Sequence, residues 1–269
     1  MADGGTGMIA EQFAGSAFIV TGAASGIGKA VATALVDRGA AVLAVDASGD
    51  GLERLCRSSL ARERIVPVEL DLADPDTYRK LGSAVDDFHA ARLAGAVNCA
   101  AIVGVSGVMA QDIPSWDRLF AINLRAPMLI TQLVAQRSSP RAPASIVHIS
   151  STAARIARAG LAAYASSKAA LEQLTRVQAI ELAAQGVRVN AIRVGLVDTE
   201  GVRAALKDDE SERAHRRKIG RIPMKRTGLP AEVAELACFL LGPASSFCTG
   251  SVYPIDGGYS AGIAEQECG

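Results

Sequence analysis

The chain has 269 residues, 28 Lys+Arg against 28 Asp+Glu, a formal net charge of zero and 49% hydrophobic residues. That balance lacks the basic excess expected of a nucleic-acid partner, and the apolar content excludes a disordered chain. No stretch approaches the roughly 18 uninterrupted apolar residues of a membrane span, and the scattered Cys56, Cys99, Cys238, Cys248 and Cys268 suggest neither a disulfide framework nor a metal site. The expectation is a cytoplasmic protein without membrane or nucleic-acid partners.

Residues 1–13 carry no signal-peptide pattern and read as a flexible leader ahead of a single domain, 14–269. From Ser16 onward, short β-branched runs alternate with Ala/Leu-rich segments, as in repeated βαβ units. In chain order the pattern predicts a strand at 17–21, a helix at 27–38, strands at 41–45 and 65–69, a helix at 75–90 and a strand at 95–98. A helix at 115–136, a strand at 145–150, a helix at 163–185, a strand at 187–192, a helix at 230–241 and a strand at 251–255 follow. Pro75 and Pro230 suit first helical turns, and Gly39 and Gly186 suit stops. The fold class is α/β: one doubly wound (Rossmann) domain with a parallel sheet of about seven strands and helices on both faces.

The first strand–turn–helix reads Thr21-Gly-Ala-Ala-Ser-Gly-Ile-Gly28. Glycines there let the backbone turn tightly and approach a pyrophosphate at the positive end of the helix. Asp46 ends the second strand 18 residues after Gly28, and its carboxylate suits a ribose 2′-hydroxyl while repelling a 2′-phosphate. The cofactor reading is therefore NAD over NADP; the plainer role for Asp46 is to cap the next helix.

Tyr164-Ala-Ser-Ser-Lys168 sets a phenol and an ammonium on one helical face, about 6 Å apart along the axis. Ser151 closes a strand thirteen residues earlier, at the sheet end where doubly wound folds present ligands.

TGAASGIG at 21–28, Asp71, NCAA at 98–101, Asn123 in AINLRA, Ser151 in HISST, YASSK at 164–168, VRVNAIRVG at 187–195, Thr199 and DGGY at 256–259 agree in order and spacing. In these motifs the chain resembles the short-chain dehydrogenase/reductase (SDR) family, of the classical type, from residue 15 to 260. The resemblance implies hydride transfer between a secondary alcohol or ketone and nicotinamide, without a metal. It makes Tyr164 the general acid/base, Lys168 its helper and ribose ligand, Ser151 the substrate-oxygen ligand and Asn123 the holder of a relay water. A free phenol titrates near 10, so the help expected from Lys168 and the nicotinamide amounts to about 3 pK units. It also implies cofactor contacts from Gly22, Ser25, Gly26, Ile27 and Gly28, from Asp46, from Asp71 and Leu72 at the adenine, and from Asn98 and Ala100 near the ribose. Val194, Gly195, Val197 and Thr199 are expected around the nicotinamide, and Tyr164 and Lys168 also touch the cofactor.

The family's usual Asn-Asn-Ala-Gly reads Asn98-Cys99-Ala100-Ala101 here, so a repacked turn with Cys99 as a buried filler is expected. Pro-Gly after the sixth strand reads Val194-Gly195, restoring a backbone N–H. Ile102, Val103, Val105, Met109, Ala153 and Ala154 suggest an apolar substrate wall. Arg155 and Arg158 are either solvated or anchors for an acidic substrate. His148 reads as a satisfied core imidazole, and His89 and His215 as surface residues. The segment 196–226 reads as a substrate lid. Between Arg203 and Arg226 it holds nine Lys/Arg and four Asp/Glu, so it is +5 and the rest of the chain −5. That charge suits either a solvated helix or attraction of an anion. The Ala/Leu faces of the helices at 115–136 and 163–185 suggest a homotetramer, with a dimer second. The alternatives are an NADPH-dependent ketoreductase and a catalytically silent dinucleotide-sensing or scaffold protein.

Overall fold

The computed structural model describes residues 11–88 and 91–262. Seven strands run parallel in the order β3-β2-β1-β4-β5-β6-β7: β1 Ser16–Thr21, β2 Ala41–Asp46, β3 Ile65–Glu69, β4 Arg92–Asn98, β5 Ala144–Ser151, β6 Val187–Val194 and β7 Val252–Ile255. The helices are α1 Gly26–Val36, α2 Gly49–Ser58, α3 Thr77–Asp86, α4 Ile113–Phe120, α5 Ala126–Ala135, α6 Ala162–Leu182, α7 Glu200–Ala204, α8 Asp209–Gly220 and α9 Pro230–Leu241.

Strand alternation sends Phe18 and Val20 of β1 into a core with Val31 and Leu35 of α1 and Ala237 and Leu240 of α9. Ala17 and Ile19 face the other way, against Leu81 of α3 and Ile130 and Val134 of α5. Both faces are covered, which is why the central strands read as unbroken apolar runs. The sheet order reverses between β1 and β4, and doubly wound folds bind ligands at the carboxyl ends of strands at such a point.

Several expectations need correction. Phe13 is not part of a loose leader: it is 4% exposed and meets Phe18 edge-on at 5.2 Å between ring centroids. The helix expected at 115–136 is two, α4 and α5, joined by a π-helical turn at Ala121–Arg125 closed by the Ala126 N–H to the Ala121 carbonyl. Pro127 explains the break, because it has no N–H to give the Asn123 carbonyl one turn earlier. α3 starts at Thr77, so Pro75 precedes it rather than filling its first turn. The helix after Asp46, α2, is capped by Ser48, whose hydroxyl accepts the Gly51 N–H, so the capping role considered for Asp46 falls to Ser48. His89 lies outside the described residues.

Candidate active site

The glycine turn lies against β4. Gly22 has φ +67°, and a Cβ there would stand 2.9 Å from the Ala100 backbone; a Cβ on Gly28 would stand 2.1 Å from the Gly22 carbonyl oxygen. Only glycine permits that closeness, and the Ala100 N–H closes the seam by donating to Thr21 Oγ1 at 3.1 Å. The result is a cleft of about 420 Å³ at the carboxyl ends of β1, β2 and β4. Gly22, Ser25, Gly26, Ile27 and Gly28 form one wall. Asp46, Asp71, Leu72, Ala100 and Thr199 complete the expected set there.

A dinucleotide fits this cleft by its donor chemistry. The first turn of α1 already takes an anion: the Gly26 N–H donates to Glu200 Oε2 at 2.9 Å. Asp46 turns both oxygens toward the turn, accepting the Ala24 N–H at 3.0 Å and the Ser48 N–H at 3.0 Å. Its register partner on β3 is Glu69. The cation on the cleft wall, Arg118, pairs with Asp71 at 2.9 Å rather than with Asp46. The Asp71 carboxyl is held below its usual range by the Ala73 N–H and by Arg118.

Asn98, Val194 and Val197 are not on this wall. Asn98 is 2% exposed; its amide donates to His148 Nδ1 at 3.1 Å, and its buried Oδ1 has no hydrogen-bond partner among the described residues. His148 Nε2 in turn meets Gln178 Oε1 at 2.9 Å, so the imidazole is neutral with its proton on Nε2, and burial lowers its pKa to about 4. Val194 and Val197 are buried in the sheet end and the following turn. The Gly195 N–H goes to the Ile255 carbonyl at 3.0 Å, and Gly195 lines a neighbouring cavity instead.

α6 carries Tyr164 and Lys168 one turn apart. Lys168 is 2% exposed and its ammonium donates to the Ile149 carbonyl of β5 at 2.8 Å, 5.9 Å from the centre of the Tyr164 ring. Burial lowers Lys168 to about 8. Burial raises the Tyr164 phenol, and the nearby Ser151 hydroxyl and the charge of Arg158 pull it back. The help expected from Lys168 is therefore not delivered by this arrangement alone: the ammonium is turned to β5. Ser151 Oγ also accepts the Ala153 N–H at 3.2 Å, which fixes it at the strand end.

Asn123 is fully buried. Its Oδ1 accepts the Ile102 N–H at 3.0 Å, and its amide donates to the Ile102 carbonyl at 3.0 Å and to Ser167 Oγ at 3.2 Å. Its side chain thus ties the segment after β4 to the Tyr164/Lys168 helix. Cys99 lines the cleft, but burial pushes its thiol up to about 12, consistent with an inert filler.

The expected apolar wall does not close: Val103, Val105 and Met109 are exposed, while Ile102 belongs to the large cleft. A second cavity of about 320 Å³ adjoins Ser151 instead, and Arg158 lines it whereas Arg155 does not. A larger hollow of about 710 Å³ lies at the amino ends of β1, β4, β5 and β6, away from all of these groups.

Sequence reasoning missed Glu172 and Arg193. Glu172 continues the Tyr164, Lys168 spacing by one more turn and receives Arg193 of β6 through two hydrogen bonds, at 2.8 and 2.5 Å. Ser150 Oγ donates to the same carboxylate at 2.8 Å. The detectable signals were a third residue at i+4 and an arginine inside an apolar strand.

A family model described as enoyl-(acyl carrier protein) reductase matches residues 22–260. The chain is 35% identical over 257 residues to the cis-4-hydroxycyclohexanecarboxylate dehydrogenase of Sinomonas cyclohexanicum, covering 93% of this chain and 99% of the relative. It is 35% identical over 254 residues to the L-xylulose reductase of Bos taurus, covering 93% and 98%. A solved Beutenbergia cavernae structure, assigned as an NAD(P)-dependent gluconate 5-dehydrogenase with NADP bound at low occupancy, superimposes with a TM-score of 0.84 at 30% identity. It covers 94% of this chain and 100% of that one.

Proposed function

We propose that this chain, which belongs to the short-chain dehydrogenase/reductase family and is an NAD(P)-dependent oxidoreductase, uses NAD to interconvert a secondary alcohol and a ketone. The observation that carries the reading is the joint placement of Ser151, Tyr164 and Lys168. A half-buried phenol stands near a serine at a strand end, one helical turn from a buried ammonium. Nicotinamide supplies the hydride acceptor or donor. Tyr164 takes or returns the hydroxyl proton, and Ser151 holds the substrate oxygen. Lys168 contributes a buried positive charge and a donor toward the ribose, and Asn123 keeps the helix and the loop after β4 in register. In the free protein Tyr164 is a neutral phenol, since burial raises it.

Asp46, the register partner of Glu69 and without an ion-pair partner among the described residues, supports NAD over NADP. The relative with NADP keeps an NADPH-dependent ketoreductase as the competing outcome. Titrating NAD and NADP against the wild type and Asp46→Ala decides between them: the NAD preference should shrink in the variant, and a wild type that favours NADP overturns the reading. A screen of secondary alcohols by nicotinamide reduction should find turnover that Tyr164→Phe lowers by about 10²-fold or more with dinucleotide binding retained. Dinucleotide binding without turnover of any alcohol or ketone in the wild type would instead favour a sensing or scaffold role. The wider reading is a cytoplasmic homotetramer. It is supported by exposed Val177 and Ile180 on α6, and by the absence, among the described residues, of a helix long and apolar enough to cross a membrane.

A further inference from the structure

The 320 Å³ cavity beside Ser151 is walled by Arg158, Lys218, Arg221, Gly195 and Tyr259, with no carboxylate on its lining. Its cations come from separate parts of the chain: Arg158 from the loop before α6, Lys218 from the last turn of α8, and Arg221 just beyond it. Four of the other seven basic residues of the segment 203–226 have side-chain partners. Arg203 pairs with Asp198 at 3.1 Å, Arg216 with Glu212 at 3.3 Å and Arg226 with Glu232 at 2.6 Å, and Lys225 donates to the Gly220 carbonyl at 2.7 Å. Among the described residues, Arg158, Lys218 and Arg221 have no ion-pair partner within 4.0 Å.

A cation in the last turn of a helix is favoured by the helix dipole, which accounts for Lys218 on its own terms. It does not account for Arg158, which arrives from another element and is oriented by the Tyr259 ring, 5.4 Å from its centroid. Like charges converging on one concave space without a counter-charge are complementary to an anion. The volume is at the small end of the roughly 300–1,000 Å³ of ligand pockets, so the anion belongs to a compact molecule.

We propose that this cavity is an anion subsite that holds the carboxylate of a small hydroxy or oxo acid while its carbinol or carbonyl carbon lies at Ser151 and Tyr164. The substrate class is thus a secondary alcohol or ketone bearing a carboxylate away from the reacting carbon. The placement at the reacting carbon rests on the dehydrogenase reading above; the anion subsite itself does not. Arg158 acts on both ends, since its charge also reaches the Tyr164 phenol.

The test compares benzoate with the isosteric neutral benzamide by calorimetry on the whole chain, with and without NAD. Wild type should bind benzoate at least about tenfold tighter, and Arg158→Gln and Arg221→Gln should each remove most of that preference, whereas Arg155→Gln, outside the cavity, should keep it. Raising salt should weaken benzoate selectively. In turnover, a hydroxy acid should exceed its own primary amide in kcat/KM, mainly through KM, with the advantage lost in the same two variants. Equal binding of benzoate and benzamide, or a preference that survives both substitutions, overturns the subsite even if alcohols are oxidised. A benzoate preference that collapses as expected, in a protein that turns over no alcohol or ketone, keeps the subsite and removes the dehydrogenase reading.

Discussion

Replacing Arg193 by methionine tests how the Tyr164/Lys168 helix is held to the sheet. Glu172 lies two turns beyond Tyr164 on the same face of α6, its side chain is 6% exposed, and Arg193 of β6 meets it with two parallel hydrogen bonds. Removing the guanidinium strands a buried carboxylate, which costs about 3–5 kcal/mol in comparable pairs. Ser150 still donates to Oε1 at 2.8 Å, so the lower end, about 3 kcal/mol, is expected. With a urea slope of ~3 kcal/mol per M, the midpoint should move down by about 1 M. Denaturation is followed by far-ultraviolet circular dichroism at fixed protomer concentration, because association would add to apparent stability. The double variant Arg193→Met/Glu172→Met removes both charges and should recover to within about 1 kcal/mol of wild type. Arg216→Ala, which breaks an exposed pair with Glu212, serves as the contrast and should cost under about 0.5 kcal/mol. A loss below about 1 kcal/mol in Arg193→Met, or a double variant no better than the single, would refute the argument that this pair anchors the helix.

Glu200→Gln should tighten dinucleotide binding by a factor of a few, because the Glu200 carboxylate holds the Gly26 N–H that a pyrophosphate would take; calorimetry with NAD checks this, and weaker binding would contradict it. His148 is neutral in the fold with a pKa of about 4 against a usual 6.5, so the unfolded chain binds the extra proton between those values. Stability should therefore fall as pH drops from about 6.5 toward 4, by up to about 3 kcal/mol, and His148→Gln should flatten that slope; an unchanged slope sinks the assignment. Phe13→Ala should cost about 3 kcal/mol, read from the urea midpoint, whereas a flexible leader would give no change.

The order of strands and helices was legible because buried parallel strands demand unbroken apolar runs and surface helices demand 3.6-residue spacing. The boundaries that failed did so for local reasons. Pro127 was overlooked inside one long apolar stretch, although its missing N–H marks where α4 gives way to α5. Phe13 was discarded with its polar neighbours, although an aromatic ring can reach a core from a short arm. The polar α2 lacks a long apolar face, and its Ser48 cap was credited to Asp46.

By itself, the sequence determined the doubly wound α/β class, the glycine turn, the carboxylate at the end of β2 and the Tyr164/Lys168 pair, because each depends on neighbours within one or two turns of chain. Only the tertiary structure decided which way those groups face. Lys168 turns to the Ile149 carbonyl, Asn98 is absorbed by His148, and Arg193 is neutralised by Glu172. It also decided what a net charge of zero conceals. Of the excess cations in the segment 203–226, Lys218 and Arg221 converge with Arg158 on the cavity beside Ser151, while others are neutralised where they stand. A linear count sums charges without regard to position, whereas attraction falls off with distance and depends on which carboxylates the fold brings near.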